Sequence, residues 1–371
     1  MSAPTRLLYV IDEYRNPNAG TERQLYRLIS GLDRTRFAPE LAVLRRSEYI
    51  DSGAFPCPVH RWDVHKIASI GTLVSMSRLA RDCRSKGFRV VHAFFNDAAV
   101  LVPFFFRRAG FKVLSSRRDM GFWYNPPTLM ALRLMARFTD SVIANSDAVA
   151  KNVEQEERVP RSKISVIYNG VEAPKSDASP SPELAAAFAR LQGKRVVGIV
   201  ANIRPVKRVQ DLAIAFESIA AKVPDSVLLI VGGGDRESIE VRARAAGIAD
   251  RVIFTGQVSD PDSLIARFDV AVLCSESEGL SNSIIEYMLH GKPVVATHTG
   301  GNPELVEEAV TGRLIPVGAT EALSARITEL LMDQETAERF GAEARRRALA
   351  RFEMHSMISA HESLYEKLLH S

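Results

Sequence analysis

The sequence predicts an α/β chain made of two doubly wound domains, each with a parallel sheet. Three observations lead there. The 371 residues suffice for two domains of ordinary size, each with its own core. Short apolar runs of strand type alternate with longer amphipathic stretches in both halves, the pattern of parallel strands joined by crossover helices. A Pro- and Ser-rich stretch near the middle, EAPKSDASPSP, interrupts the alternation, and the pattern restarts after it.

The elements follow in order. Arg6–Ile11 reads as a strand, followed by a loop through Asn18-Ala19-Gly20. A helix from about Thr21 to Leu32 then places Leu25, Leu28, Ile29 and Leu32 on one face. Pro39–Leu44, Val90–Ala93, Lys112–Ser115 and Ser141–Ala144 read as further strands, and Ile164–Ile167 closes this set. Beyond the divider, strands are expected at Val196–Val200, Val227–Val231, Val252–Thr255, Val270–Leu273 and Pro293–Ala296. The helices there are Val209–Lys222, Ser238–Ala246, Ala319–Met332, a polar helix ending near Arg351-Phe352, and a last one at about Met354–Leu369. The domains are thus expected at 1–171 and 184–352, with a linker at 172–183 and a C-terminal helix, 353–371, that packs back on the first domain.

Composition narrows the function. Cys57, Cys83 and Cys274 have no metal-type or redox spacing and read as buried small residues of a reducing compartment. The N-terminal apolar run is too short for a signal peptide. The longest apolar stretch, Ala98 to Phe106, falls far short of the ~20 residues that span a bilayer. A soluble, cytoplasmic protein is expected. The net charge of +4 hides an asymmetry: residues 1–170 hold 26 Lys+Arg against 16 Asp+Glu, whereas residues 171–371 hold 22 against 28. Either the first half meets an anionic partner (nucleic acid, a phosphorylated acceptor, an anionic membrane) or its Arg-rich surface is merely solvated.

The most informative segment is SESEGLSNSIIEYMLHGKPVVATHTGG, with Glu278 and Glu286 eight residues apart. Ser281 and Asn282 are good N-caps, and a helix should run to about His290 before Gly291 and Pro293 stop it. A helix N-terminus suits a phosphate, and the two carboxylates suit sugar or ribose hydroxyls. They are otherwise two solvent-facing acids favoured by the helix dipole. The loop Asn202-Ile203-Arg204-Pro205-Val206-Lys207-Arg208 leaves the C-terminal end of a strand, where open α/β sheets bind ligands. Its three cations either neutralise a diphosphate or form a solvated basic turn. Gly232-Gly233-Gly234-Asp235 is a second strand-to-helix loop, of interest only if neighbouring loops converge on it. Gly256-Gln257-Val258 offers backbone groups to a nucleobase. Gly20 permits close backbone approach at a helix start, although a full G-x-G-x-x-G is absent. His92 reads as a pocket residue or a satisfied core histidine, and Arg117-Arg118-Asp119 as an anion site or an ion-paired turn. The stretches Thr128–Phe138 and VLVPFFFRR mix apolar residues with arginines, for core packing or for grazing a membrane surface.

Taken together, these motifs resemble the retaining glycosyltransferases of family 4. The resemblance rests on the loop glycine before a helix with Glu22, on VVHAF, VIANSDAVAKNV, VIYNGVE, RPVKRVQDLAIAF, LLIVGGGDR and VIFTGQV, and above all on EGLSNSIIE with GKPVVATHTGG. It spans nearly the whole chain and implies the GT-B architecture, two Rossmann-like domains facing a central cleft. By resemblance, Glu286 holds the ribose hydroxyls and Glu278 faces the donor sugar. Gly279, Leu280 and Ser281 lend amides to the phosphates and sugar, and Lys207 is the diphosphate-binding lysine. The family's usual arginine five residues before that lysine is Asn202 here, so Arg204 is expected to take over the phosphate. Glu278, Lys207 and Arg204 form the implied catalytic set; Gly20, Asn202 and Val258 complete the donor site. The family's histidine before an aspartate is Arg118-Asp119 in this chain, which with His92 would lie on the acceptor side.

The implied reaction moves a sugar, with retention, from a UDP-sugar or GDP-sugar to a glycan or lipid-linked acceptor. It involves no metal or other cofactor and no nucleic acid. Peripheral contact with an anionic inner leaflet is expected of the basic half. The alternatives are a nucleotide-sugar epimerase on the same architecture and a non-catalytic carbohydrate-assembly module.

Overall fold

A computed structural model describes residues 3–17, 20–174, 184–258 and 261–371. Asn18 and Ala19 of the first loop, and the expected linker from residue 175 to 183, lie outside the described residues. The chain forms two compact units, Met1–Gly170 with Met354–Ser371, and Val171–Glu353.

The first unit is built on seven parallel strands: β1 (Thr5–Ile11), β2 (Phe37–Val43), β3 (Val59–Arg61), β4 (Phe88–Phe94), β5 (Lys112–Arg117), β6 (Ser141–Ala144) and β7 (Ile164–Val166). Their order is β3-β2-β1-β4-β5-β6-β7. Tyr9 of β1 stands opposite Leu41 of β2 and His92 of β4. Strands covered on both faces read as continuous apolar runs, and LLYVI in β1 is buried throughout. Leu7, Tyr9 and Ile11 join one core layer, and Leu8 and Val10 the other. The helix Met354–His370 belongs to this unit. It sends Met357, Ile358 and Tyr365 into the same layer as Tyr9. Its Glu362 accepts from the Asp33 amide at 2.8 Å and pairs with Arg36 at 2.9 Å. The helix Asn96–Arg108, which contains VLVPFFFRR, buries Ala98, Leu101, Val102 and Phe106, so that stretch is core.

The second unit has six strands: β8 (Arg195–Val200), β9 (Ser226–Val231), β10 (Val252–Gly256), β11 (Val270–Leu273), β12 (Val294–Thr297) and β13 (Gly312–Ile315), in the order β10-β9-β8-β11-β12-β13. The helices Val209–Lys222 and Thr320–Met332 cover it with Leu212, Phe216, Ile219, Leu323 and Ile327. Two strands were absent from the expectation, β3 and β13. Both are edge strands of three or four residues, VHR and GRLI, too short and too polar to show an apolar run. One further reading needs correction: of the three cysteines, Cys83 and Cys274 are buried, whereas Cys57 is half-buried. Among the described residues no helix is long and apolar enough to cross a membrane.

Candidate functional site

Each sheet reverses its winding direction once, between β1 and β4 in the first unit and between β8 and β11 in the second. In open α/β sheets ligands sit in the crevice at the carboxyl ends of the strands at such a point. The residues singled out in the sequence lie largely on the loops that leave these strand ends.

In the second unit, three loops are stitched together. After β8, Ala201 N–H donates to Val231 O at 2.9 Å and Ile203 N–H to Gly233 O at 2.7 Å. The Gly233 amide donates to Asn202 Oδ1 at 3.3 Å, and the Gly232 amide to Gly256 O at 2.9 Å. The glycines are required by this packing. Gly232 (φ 147°) and Gly234 (φ 125°) hold conformations hostile to a side chain, and a Cβ on them would stand 2.2 Å from Ala201 O and 2.6 Å from Ile203 O. The loops that follow β8, β9 and β10 therefore converge, and Asn202 serves to join two of them. Val258 follows in the third of these loops and is half-buried.

The basic loop continues as a 3-10 turn, Pro205–Lys207, and ends at Arg208 in the left-handed region (φ 48°). This non-glycine conformation is uncommon and concentrates at functional sites. The turn is anchored to the segment after β11, because the Glu276 amide donates to Val206 O at 2.8 Å and the Cys274 thiol lies 3.3 Å from Lys207 O. The anchoring brings Lys207 Nζ to 2.5 Å from Glu278 Oε1. The three cations of this loop thus differ. Lys207 is paired with Glu278 and Arg208 with Asp211 at 2.7 Å. Arg204 is exposed and makes no ion pair among the described residues.

Ser281 caps the helix Asn282–Leu289, its Oγ accepting from the Ile284 amide at 3.2 Å, and the helix stops at His290 before Gly291 (φ 66°). Two bonds lock this helix to the end of β8. Ser283 Oγ donates to Val200 O at 2.9 Å, and the Val200 amide donates to the Tyr287 hydroxyl at 2.6 Å. Gly279, Leu280 and Ser281 form the approach to its N-terminus, and the Gly301 amide fixes Glu278 O at 3.2 Å. Glu286 sits in the second turn, only 6% exposed. Lys207, Glu278 and the approach to a helix N-terminus thus lie together beside β8 and β11, with Arg204 on the same loop as Lys207.

In the first unit, Glu22 holds the loop after β1. Its Oε1 accepts from the amides of Arg15 at 2.7 Å and Asn16 at 3.4 Å, just ahead of Gly20 at the start of the helix Gly20–Gly31. Asp12, which the sequence reading passed over, accepts from the amides of Asp97 at 3.0 Å and Ala98 at 2.8 Å. It thereby caps the helix Asn96–Arg108, whose own N-cap residue Phe95 (φ 69°) supplies no side-chain bond. Burial foremost raises Asp12 to about 6. The signal was an acid ending a strand beside a helix start, legible only once β1 and β4 are known to be neighbours.

The triplet at the end of β5, Arg117-Arg118-Asp119, separates into three roles. Arg117 is buried and bidentate to Glu157 at 2.6 and 2.8 Å, with Ser115 Oγ at 2.6 Å. Asp119 turns back to the Gly121 amide at 2.7 Å and the Trp123 indole at 3.0 Å. Arg118 is half-buried and donates to the amide oxygen of Asn169 at 2.5 Å. Of the two readings of His92, the structure gives the core histidine: it is 1% exposed, with Nδ1 2.9 Å from the Tyr365 hydroxyl and Nε2 2.8 Å from Ser116 Oγ. Burial, then the nearby His361 and Arg118, hold it well below the usual imidazole value.

Comparison with known proteins places this arrangement. Residues 18–174 match the family model described as Glycosyltransferase Family 4, and residues 181–347 that of Glycosyl transferases group 1. N-acetyl-alpha-D-glucosaminyl L-malate synthase of Bacillus anthracis is 29% identical over 210 residues, 57% of this chain and 55% of that protein. Phosphatidyl-myo-inositol mannosyltransferase of Mycobacterium leprae is 33% identical over 187 residues, 49% of this chain and 48% of that protein. The chain spans about half the length of the curated relatives it matches. Anabaena Alr3699/HepE, solved in complex with UDP, superposes with a TM-score of 0.86 at 22% identity, covering 98% of this chain and 100% of that one. That likeness shows the fold, two Rossmann-like parallel-sheet units of the GT-B type. The two family models leave only residues 175–180 between them unmatched, and the chain belongs to the family 4, group 1 glycosyltransferases.

Proposed function

We propose that the chain transfers a hexosyl or N-acetylhexosaminyl group from a nucleoside-diphosphate sugar, UDP-linked in the first instance, to a glycan or lipid-linked acceptor in glycoconjugate or polysaccharide synthesis. The observation that carries the reading is the Lys207–Glu278 pair, 2.5 Å apart, at the winding reversal between β8 and β11. An ammonium has three donors, so Lys207 can keep Glu278 and still meet phosphate oxygens. As the sugar–oxygen bond breaks, negative charge builds on the departing diphosphate. Lys207, Arg204 and the N-terminal end of the helix Asn282–Leu289 stabilise that charge. This supplies the neutralisation that a divalent ion would otherwise give, so the reaction is proposed to be metal-independent. Glu286 takes the ribose hydroxyls and Glu278 the donor sugar, oriented by Lys207 and not acting as a nucleophile; retention of configuration belongs to the same proposal. The UDP held by the Anabaena structure supports the choice of base. The first unit is assigned the acceptor, on the cytoplasmic face of a membrane.

A thermal-shift panel of UDP, GDP and ADP sugars tests the reading: UDP sugars should raise the melting temperature, and silence toward all three would overturn it. Glu286→Ala should lower UDP affinity by about 10-fold or more in calorimetry, the worth of a hydrogen bond to a charged group. EDTA should leave transfer unchanged. Turnover of UDP-GlcNAc without any acceptor would assign an epimerase instead.

A further inference from the structure

Arg117 and Arg118 are chemically identical neighbours in different surroundings. Strand alternation puts Arg117 on the face of Ser115, where Glu157 neutralises it, and turns Arg118 to the face of Ser116. On that face Ser116 joins His92, which joins Tyr365, which joins Tyr9 at 3.0 Å. Beside His92, at a ring separation of 6.1 Å, lies His361 of the C-terminal helix. His361 is 2% exposed; its Nδ1 is 2.8 Å from Met357 O, and its Nε2 is buried without a hydrogen-bond partner. The titratable groups here are thus Arg118, His92, His361, Tyr9 and Tyr365, and Glu362 on the same helix is engaged by Asp33 and Arg36. Arg118 itself pairs with no carboxylate among the described residues; its side chain meets only the neutral amide oxygen of Asn169.

Even partial withdrawal of a guanidinium from water is costly without an acid beside it, and such charges are normally paired. Burial alone pushes Arg118 down to about 10, and its charge adds to the burial that holds His361 at about 4. Among the described residues the cluster therefore carries one positive charge with no carboxylate paired to it, at the carboxyl end of β5, the strand next to β4.

We propose that Arg118 is the specificity-determining residue for an anionic group, a phosphate or a carboxylate, on the sugar acceptor. Asn169 orients the fork of the guanidinium, leaving its other N–H donors for the two oxygens of the anion. The inference rests on the proposed transferase reading only for the word acceptor; the anion subsite itself is a property of the first unit.

Imidazole resonances of the full chain, with His361 identified by loss of its signals in His361→Gln, provide the test. Inorganic phosphate and acetate are titrated separately at pH 6.5. Either anion bound at Arg118 shifts the His361 signals saturably, and the arm with the tighter response names phosphate or carboxylate. Arg118→Lys should retain a weakened response, and Arg118→Gln should lose it. Unshifted signals with both anions, or an Arg118→Gln response equal to that of the unmodified chain, overturn the proposal. UDP calorimetry on the same samples separates the two claims, because UDP reads the second unit while His361 reads the first.

Discussion

Lys207 and Arg204 lie three residues apart on one loop and meet different electrostatic circumstances. Arg204 is solvated, whereas Lys207 covers a Glu278 carboxylate whose side chain is 10% exposed. Removing Arg204 subtracts one screened attraction, worth about 1 kcal/mol or less. Removing Lys207 subtracts a charge-assisted contact of about 1.5–3 kcal/mol and also leaves the Glu278 carboxylate without its cation. Lys207→Ala should therefore lower UDP affinity by about 100-fold and Arg204→Ala by about 5-fold, with Lys207→Ala/Glu278→Ala regaining part of the loss. Calorimetry on the three variants decides; equal losses, or a double variant as poor as Lys207→Ala, would refute the pairing argument. The glutamate segment was legible in the sequence because its signals are local: a serine cap, a stop at Gly291, an apolar strand after it. The ion pair was not, since its members are 71 residues apart in sequence and meet only because β8 lies beside β11. The different fates of Arg117 and Arg118 were available from strand alternation alone, but only the partner Glu157, forty residues on, says which of the two is neutralised.

At the scale of elements, the buried Arg117–Glu157 pair joins β5 to a π-turn, Val153–Glu157, that extends the helix Asp147–Asn152 and ends at left-handed Arg158 (φ 57°). The wider turn carries Glu157 inward, where the Tyr124 hydroxyl also reaches it at 2.5 Å. Breaking one side of a buried pair strands a charge and costs about 3–5 kcal/mol, while replacing both members by apolar groups is often neutral. Glu157→Gln should lower the melting temperature by roughly 10 °C, and Arg117→Met/Glu157→Leu should recover most of it; calorimetric scans check this, and a double variant no better than the single one would exclude it. The central strands were legible because burial on both faces writes an apolar run. The edge strands β3 and β13 were hidden for the opposite reason: they are three and four residues long, and Arg61 and Arg313 interrupt their apolar residues.

At the scale of the molecule, the excess of basic residues in the first half coincides with an unburied apolar surface. The expected helix at Thr128–Phe138 forms as Pro126–Met135 followed by a short 3-10 turn, and it buries Leu132 alone. Met130 is 67% exposed and Leu134 48%, on an element that also carries Arg133 and Arg137. Apolar side chains flanked by cations suit an anionic interface. The protein should co-sediment with anionic vesicles and not with neutral ones, and Met130→Ser/Leu134→Ser should reduce the pelleted fraction; absence from both pellets would reject the membrane contact.

The helix Met354–His370 has a consequence for the order of assembly. Its Tyr365 is buried against Tyr9 of the first strand, 356 residues earlier, so the first unit encloses the second within its own sequence. During synthesis the β1-to-β7 sheet leaves the ribosome lacking Met357, Ile358 and Tyr365 from one layer of its core. The second unit, continuous from Val171 to Glu353, has all its own residues before residues 354–371 emerge. Folding of this chain is thus expected to run against the usual N-terminal-first sequence: the later unit has all its residues first, and the earlier one waits, with Tyr9 lacking its Tyr365 partner, for residues 354–371.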